Sequence, residues 1–206
     1  MANLSKPTVA AFDFDGTLTH RDSLLPFLYF VTGTTGTFIN LLLETPHLIR
    51  YLLNGQDRQS LKEAIMSRFL KNFTRQEIQA YGEQFAKQVL PKMILPEGLK
   101  KIAWHKNQGH QCLLISANLD IYLVPWGQMN GFHHIITSRV EFSNAKVTGH
   151  LIGLNCRGQE KVRRLEEIMG PKENYLLYAY GDSSGDRELL DLADYPYYKT
   201  FKDKTQ

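Results

Sequence analysis

Short, continuously apolar segments recur along the chain, and each runs into small or acidic residues. The clearest are residues 8–14, which continue into Asp-Gly-Thr, residues 111–116, and residues 175–180, which continue into Gly-Asp-Ser-Ser-Gly-Asp. Continuous apolar runs of this length are typical of strands that are buried on both faces of a parallel sheet. Weaker strands are predicted over 135–137 and 195–200, and a hairpin over 141–153 that turns near Asn144.

Helical patterns occupy the intervals between these strands. Residues 96–107 begin with Pro96 and end near Gly109, and the patterns over 119–129 and 159–169 are followed by Gly131 and Gly170. Proline at a helix start and glycine just past its end are the usual helix boundary signals. A last short helix is predicted over 186–193. The alternation of strands and helices predicts an α/β fold, a three-layer Rossmann-like core in which helices cover both faces of a parallel sheet.

The segment from about residue 23 to residue 89 interrupts this alternation. Its pattern predicts three or four consecutive helices and no strand, with helical ranges of 23–33, 36–53, 57–71 and 75–89. The economical interpretation is a helical cap inserted after the first strand, where it would stand over the strand ends. Residues 1–20 and 92–206 would then form the core domain, and residues 21–91 the cap domain.

Composition and charge exclude some classes of protein. The 206 residues are 43% hydrophobic and 22% charged, which suits one sizeable globular domain or a core with a smaller insertion. The net charge of +3 comes without a basic run or an aromatic–basic alternation, so nucleic-acid binding is not expected. Cys112 and Cys156 show no metal-ligand spacing. With neither a signal-peptide core nor the roughly 20 apolar residues of a membrane span, we expect a cytoplasmic protein.

Acidic and hydroxyl side chains follow three of the predicted strands. Asp13 and Asp15 end the first, Ser116 ends the second, and Asp182 and Asp186 follow the third. Because the carboxyl ends of parallel strands meet at one edge of a sheet, we expect these side chains to lie together. Clustered carboxylates repel one another unless a cation lies among them, and ligands that are all oxygen favour Mg²⁺.

Each of these residues also has an ordinary structural interpretation. An Asp pair before Gly-Thr forms turns and helix caps, Ser116 alone is a typical cap, and Lys161 alone is typically a solvated surface residue. Their order along the chain, each at a strand end or a helix start, favours chemistry instead. Lys161, at the start of a late helix, would then supply the positive charge that a transferring phosphoryl group requires.

With these motifs the sequence resembles the haloacid dehalogenase-like superfamily of phosphohydrolases, and within it the subfamily that includes phosphoserine phosphatase. The segment DFDGTLT from Asp13 matches the first motif, and Ser116 in LLISAN matches the second. Lys161 in CRGQEKVRRL matches the third motif, and Asp182 and Asp186 in YGDSSGD match the fourth. The likeness covers nearly the whole chain, including the position of the cap.

This resemblance implies a Mg²⁺-dependent phosphomonoester hydrolase that forms an aspartyl-phosphate on Asp13. Asp15 would be the general acid and base, and Lys161 would stabilise the transferring charge. The implied phosphate-binding residues are Gly16, Ser116, Ala117, Asn118 and Lys161, and the implied metal ligands are Asp13, Asp15, Asp182 and Asp186. A phosphomutase that uses the same aspartate chemistry and a non-catalytic binding or scaffold relative are the alternatives.

Departures from the family pattern concern the substrate. Ala117 and Asn118 stand where phosphoserine phosphatases usually have glycines. Asp22 lies where the cap of those enzymes supplies an acid, whereas either Lys62 or Arg68 would take the place of their arginine. The cap is also longer and more apolar than a serine-sized substrate needs. We therefore expect a small phosphorylated metabolite or a phosphorylated lipid as substrate.

The apolar residues at the start of the cap raise a second question about partners. Residues 24–31 and 38–53 hold more apolar side chains than one face of each helix can bury. Either these helices pack on the rest of the cap, or part of their surface stays exposed and contacts an acyl chain or a membrane surface. In the second case, Arg50 and Arg58 would meet anionic headgroups.

Overall fold

Five parallel strands form the central sheet of the computed structural model, which describes residues 6–34 and 58–202. The strands are β1 (Thr8–Phe12), β2 (Gln111–Leu119), β3 (His134–Ser138), β6 (Leu176–Gly181) and β7 (Tyr195–Tyr198). Their order across the sheet is β3-β2-β1-β6-β7. The α/β fold with a parallel sheet is thus confirmed, and β1 ends one residue before Asp13.

The helices follow the predicted intervals closely. They are α1 (24–34), α2 (Arg58–Leu70), α3 (Arg75–Gln88), α4 (Pro96–Asn107), α5 (Asp120–Met129), α6 (Gln159–Met169) and α7 (Arg187–Leu192), with 3₁₀ turns at Leu90–Lys92 and Lys172–Asn174. The predicted helix over 36–53 lies outside the described residues. Each helix among the described residues is too short or too polar to cross a membrane.

The hairpin predicted over 141–153 is present as β4 (Val140–Ser143) and β5 (Lys146–Leu151), which pair antiparallel. Asn144 and Ala145 form the turn with φ values of 47° and 59°. Two successive residues with positive φ are typical of the tight turns that match the twist of a hairpin. The hairpin packs against α2 and so joins this helix to the part of the chain that follows β3.

Successive residues of β1 point to opposite faces of the sheet and bury two separate apolar clusters. Ala10 and Phe12 belong to the cluster under α4 and α5, whereas Val9 and Ala11 belong to the cluster under α6 and α7. All four of these side chains are completely buried. A strand that is apolar at every position is required here because both of its faces are covered, which is the three-layer arrangement.

The helices α1, α2 and α3 share the apolar cluster of α4 and α5. Phe27 of α1 and Phe85 of α3 both contact Tyr122 of α5. At Gly82 of α3, an added Cβ would lie 2.1 Å from the carbonyl oxygen of Ile121, so only glycine allows α3 to approach α5 this closely. The described helices between residues 21 and 91 therefore join the apolar cluster on one side of the sheet through contacts with α5 and the hairpin, and their division as a separate domain stays a prediction.

Candidate active site

The loop that follows β1 places Asp13 at the carboxyl edge of the sheet. The amides of Leu18 and Thr19 both donate to the carbonyl oxygen of Phe14, which closes the loop into a tight turn. Gly16 has a φ of 78°, and a Cβ at this position would lie 2.3 Å from Oδ2 of Asp182. Glycine is therefore required both for the turn and for the close approach of the two acidic loops.

Lys161 bridges the first and the last of the predicted motifs. Its Nζ lies 2.6 Å from Oδ1 of Asp13, 2.6 Å from Oδ1 of Asp186 and 2.9 Å from the carbonyl oxygen of Ile115. The side chain is almost completely buried. Burial disfavours the ammonium ion, but the carboxylates of Asp13 and Asp186 outweigh that effect and raise the pKa of Lys161 above its ordinary value. The lysine is therefore charged and belongs to the site, not to the surface.

Three carboxylates surround the point where these loops meet. One oxygen each of Asp13, Asp182 and Asp186 lies within 4.8 Å of the others. The three carboxylates carry three negative charges, and Lys161 carries one positive charge. The net charge of the four side chains is therefore −2, in a largely buried space. Burial is the main reason why the pKa of Asp13 is raised to about 6 and that of Asp182 is raised above its ordinary value. An all-oxygen donor set with this charge fits a hard divalent cation such as Mg²⁺.

Asp15 points away from the three grouped carboxylates. Its Oδ1 accepts a hydrogen bond from the amide of Ser23 at 2.7 Å, and its Oδ2 accepts one from Nδ2 of Asn118 at 2.6 Å. Burial first, and then the charge of Asp22, raises the pKa of Asp15 to about 7. The Asp15 side chain thus occupies a separate position from the candidate cation ligands, and it is poised between its two protonation states near neutral pH.

The predicted phosphate-binding segment is an irregularity in β2. Ser116 pairs with Thr137 of β3 and Leu119 pairs with Ser138, so Ala117 and Asn118 have no counterpart in β3. The amide of Asn118 donates to Oγ of Ser116 at 3.0 Å. Since that hydroxyl oxygen accepts this bond, its own hydrogen is available to donate toward the cleft that Ser116 lines.

These groups open into one cleft with a volume of about 600 Å³. Asp22 and Lys62 line it, whereas Arg68 is exposed and is not among the lining residues. Arg58, which the sequence had associated with lipid headgroups, also lines this cleft. Its helix faces the loop that carries the phosphate-binding residues, which the sequence pattern alone could not indicate.

Other lining residues were missed by the sequence analysis: His20, Arg21, Asn155, Arg157 and Ser183. Arg157 donates to Oγ of Ser184 at 2.7 Å, beside the last acidic motif. The only sequence signal for Asn155 and Arg157 is their place directly before the Lys161 helix. Both residues lie in an irregular segment whose course depends on the hairpin.

Comparison with known proteins identifies relatives of this chain. The family model for haloacid dehalogenase-like hydrolases matches residues 10–191. Protein CicA of Caulobacter vibrioides is 36% identical over 97% of this chain and 89% of its own. A probable phosphatase of Mycobacterium tuberculosis is 24% identical over 89% of this chain and 66% of its own.

Solved structures are similar in fold. A Bordetella pertussis protein of unknown function has a TM-score of 0.81 at 22% identity, covering 93% of this chain and 89% of its own. A substrate-bound phosphoserine phosphatase has a TM-score of 0.62 at 17% identity, covering 92% and 84%. From the match over residues 10–191 and the 36% identity to a relative that is matched over 89% of its length, we conclude that the chain belongs to the haloacid dehalogenase-like hydrolases.

Proposed function

We propose that this hydrolase is a Mg²⁺-dependent phosphomonoesterase that works through an aspartyl-phosphate on Asp13. The observation that carries the proposal is the contact of one buried lysine with two acidic motifs, Lys161 Nζ at 2.6 Å from both Asp13 and Asp186. A carboxylate held beside a fixed positive charge suits attack on a phosphorus atom whose oxygens carry negative charge.

In the first step, a carboxylate oxygen of Asp13 forms a bond to phosphorus while the bond from phosphorus to the ester oxygen breaks. Asp15, whose pKa is raised to about 7, donates its proton to the departing oxygen, which leaves as an alcohol. Lys161 and the Ser116 hydroxyl bind the phosphoryl oxygens. A carboxylate with an ordinary pKa would be deprotonated at neutral pH, so burial of Asp15 gives it the protonation state that this step needs.

In the second step, the now ionised Asp15 accepts a proton from a water molecule, whose oxygen attacks phosphorus. The bond between phosphorus and Asp13 breaks, which releases inorganic phosphate and leaves Asp13 ionised and Asp15 protonated, as at the start. Asp13, Asp182 and Asp186 would hold the cation, with the backbone carbonyl of Asp15 as a further ligand that the family resemblance implies. Bound Mg²⁺ supplies neutralisation of the charge on the transferring phosphoryl group.

Phosphate release from a panel of phosphomonoesters tests this proposal and separates it from a phosphomutase, which returns the phosphoryl group to an organic acceptor. The panel contains a phosphorylated amino acid, sugar phosphates, a lysophospholipid phosphate and an aryl phosphate. We expect release that requires Mg²⁺ and that beryllium fluoride, a mimic of the aspartyl-phosphate, inhibits. Undiminished release in excess EDTA would contradict the metal requirement, and no release from any ester would contradict the reaction.

A further inference from the structure

Lys62 of α2 reaches across the cleft and binds the main chain of the phosphate-binding segment. Its Nζ donates to the carbonyl oxygen of Ala117 at 2.6 Å and to Oδ1 of Asn155 at 3.1 Å. Burial lowers the pKa of Lys62 to about 8, while the charges of Asp22 and Asp15 oppose that shift. The ammonium ion therefore predominates at neutral pH and makes charge-assisted hydrogen bonds to both oxygens.

The peptide between Ala117 and Asn118 is bound on both of its sides. Its carbonyl oxygen accepts from Lys62, and Oγ of Ser138 lies 2.7 Å from the same oxygen. Its amide donates to Oγ of Ser116 at 3.0 Å. Because a peptide group is planar, fixing the oxygen also fixes the direction of the N–H. The orientation of the Ser116 hydroxyl thus depends on what holds the Ala117 carbonyl.

Other side chains of α2 hold the helix in the place that this contact needs. Oε1 of Gln59 accepts from the amide of Asn155 at 3.0 Å, and Glu63 accepts from the amide of Leu151 at 3.2 Å. These bonds join α2 to the segment that runs from β5 to the Lys161 helix. Of Gln59, Lys62 and Glu63, Lys62 also reaches the segment after Ser116. It therefore connects α2 to the phosphate-binding residues.

We infer that Lys62 is a positioning residue: it fixes the Ala117–Asn118 peptide, and through it the Ser116 hydroxyl, for binding of the transferring phosphoryl group. The inference rests on the proposed phosphatase function. On sequence grounds, Lys62 is one of two candidates to bind the leaving group of the substrate. The positioning role replaces that expectation for Lys62. The two roles differ in a measurable way, because the phosphoryl group is common to all substrates whereas the leaving group is not.

The test compares Lys62→Met with the wild type on an aryl phosphate and on a phosphomonoester whose leaving group carries a carboxylate. Methionine keeps the length of the side chain and removes its donor. We expect kcat/KM to fall about 10- to 100-fold, by the same factor for both esters, since displacement of a binding group by about 1 Å has an effect of this size. Inorganic phosphate should also bind more weakly in the presence of Mg²⁺. Lys71→Met, at an exposed residue directly after the same helix, is the matched control and should change neither value.

A loss confined to the ester with the anionic leaving group would overturn the inference in favour of a substrate contact. Unchanged kinetics with both esters would overturn it as well.

Lys62→Arg should recover part of the activity that Lys62→Met loses. Ser138→Ala removes the second donor at the same carbonyl, and Ser138 is not among the residues that line the cleft. It should produce a smaller loss that is again equal for both esters, and it decides the matter if Lys62→Met does not fold. If the wild type hydrolyses no ester, the proposed function fails, while phosphate binding still tests Lys62.

Discussion

Asp13 and Asp15 lie two residues apart in the same loop but face different surroundings. Asp13 contacts Lys161 and the other grouped carboxylates, whereas Asp15 accepts hydrogen bonds from Ser23 and Asn118. Residues two apart in a strand point to the same side, so the sequence indicated different roles for Asp13 and Asp15 through the family resemblance and not through strand periodicity. It could not predict the partners of Asp15, because Ser23 and Asn118 come from distant parts of the chain.

The raised pKa of Asp15 predicts how an Asp15→Asn variant depends on leaving group and on pH. An amide cannot donate a proton to the departing oxygen, so kcat/KM for an alkyl phosphate should fall by about 10²–10⁴-fold. For an aryl phosphate with a good leaving group the fall should be much smaller. In the wild type, the protonated acid is lost as the pH rises through about 7, so kcat/KM for the alkyl ester should decline there.

Steady-state kinetics from pH 5 to pH 9, with both enzymes and both esters, measure these effects. The decline near pH 7 should be missing from the Asp15→Asn profile, while ionisation of the substrate itself affects both enzymes alike. Equal losses for the two esters would contradict a role of Asp15 as the general acid.

The helix α6 illustrates what sequence can indicate about an element and what it cannot. Its range, Gln159–Met169, was predicted correctly from periodicity and from the glycine that follows it. The burial of Lys161 in its first turn was not evident, because an isolated lysine at a helix start is typically exposed. Its position depends on contacts that other side chains of α6 make with the sheet.

Arg164 is one residue of α6 that makes such contacts, with β3 and with the segment before α6. It donates to the carbonyl oxygens of Thr137 at 2.7 Å and Leu154 at 2.6 Å, and it pairs with Glu160. We predict that Arg164→Met lowers the free energy of unfolding by about 1–3 kcal/mol, because two main-chain carbonyls lose a charged donor. Urea denaturation measures this loss.

Arg163→Met is the matched control, since Arg163 also pairs with Glu160 but its side chain is 53% exposed. It should destabilise the protein less than Arg164→Met does, because an exposed ion pair contributes little. Equal destabilisation by the two variants would mean that the contacts of Arg164 with the sheet are unimportant for stability.

At the scale of the whole molecule, the parallel sheet and its helices followed from periodicity, whereas the cleft did not. Hydrophobic patterning is a local signal, so continuous apolar runs located β1, β2 and β6 and the acidic or hydroxyl side chains near their ends. The cleft wall depends on how α2 and the hairpin meet, which is a contact between distant segments. This is why Arg58 was associated with lipid headgroups and why Asn155 and Arg157 were overlooked.

Contact of the cap with a lipid surface stays a prediction. Leu25 and Tyr29, one helical turn apart on α1, are 50% and 51% exposed, and the apolar segment 38–53 lies outside the described residues. If this face contacts a membrane, the protein should sediment with anionic vesicles, and the double variant Leu25→Ser, Tyr29→Ser should do so less.

Leu154→Ser is the matched control for the vesicle experiment, because Leu154 is 62% exposed but lies outside the cap. It should leave sedimentation unchanged. Absence of sedimentation by the wild type, or equal effects of the two changes, would contradict a lipid-binding role of α1.

The central claim is that Asp13 carries the phosphoryl group during turnover. Acid quenching of the enzyme during hydrolysis of a substrate, followed by borohydride reduction and peptide mass spectrometry, tests it most directly. In the presence of Mg²⁺, we predict that the peptide with Asp13 is converted to its reduced form. Asp13→Asn should lack this product and turn over at least about 10³-fold more slowly, because the amide cannot attack phosphorus. Sustained phosphate release with no modification at Asp13, or modification of another residue instead, would contradict the account.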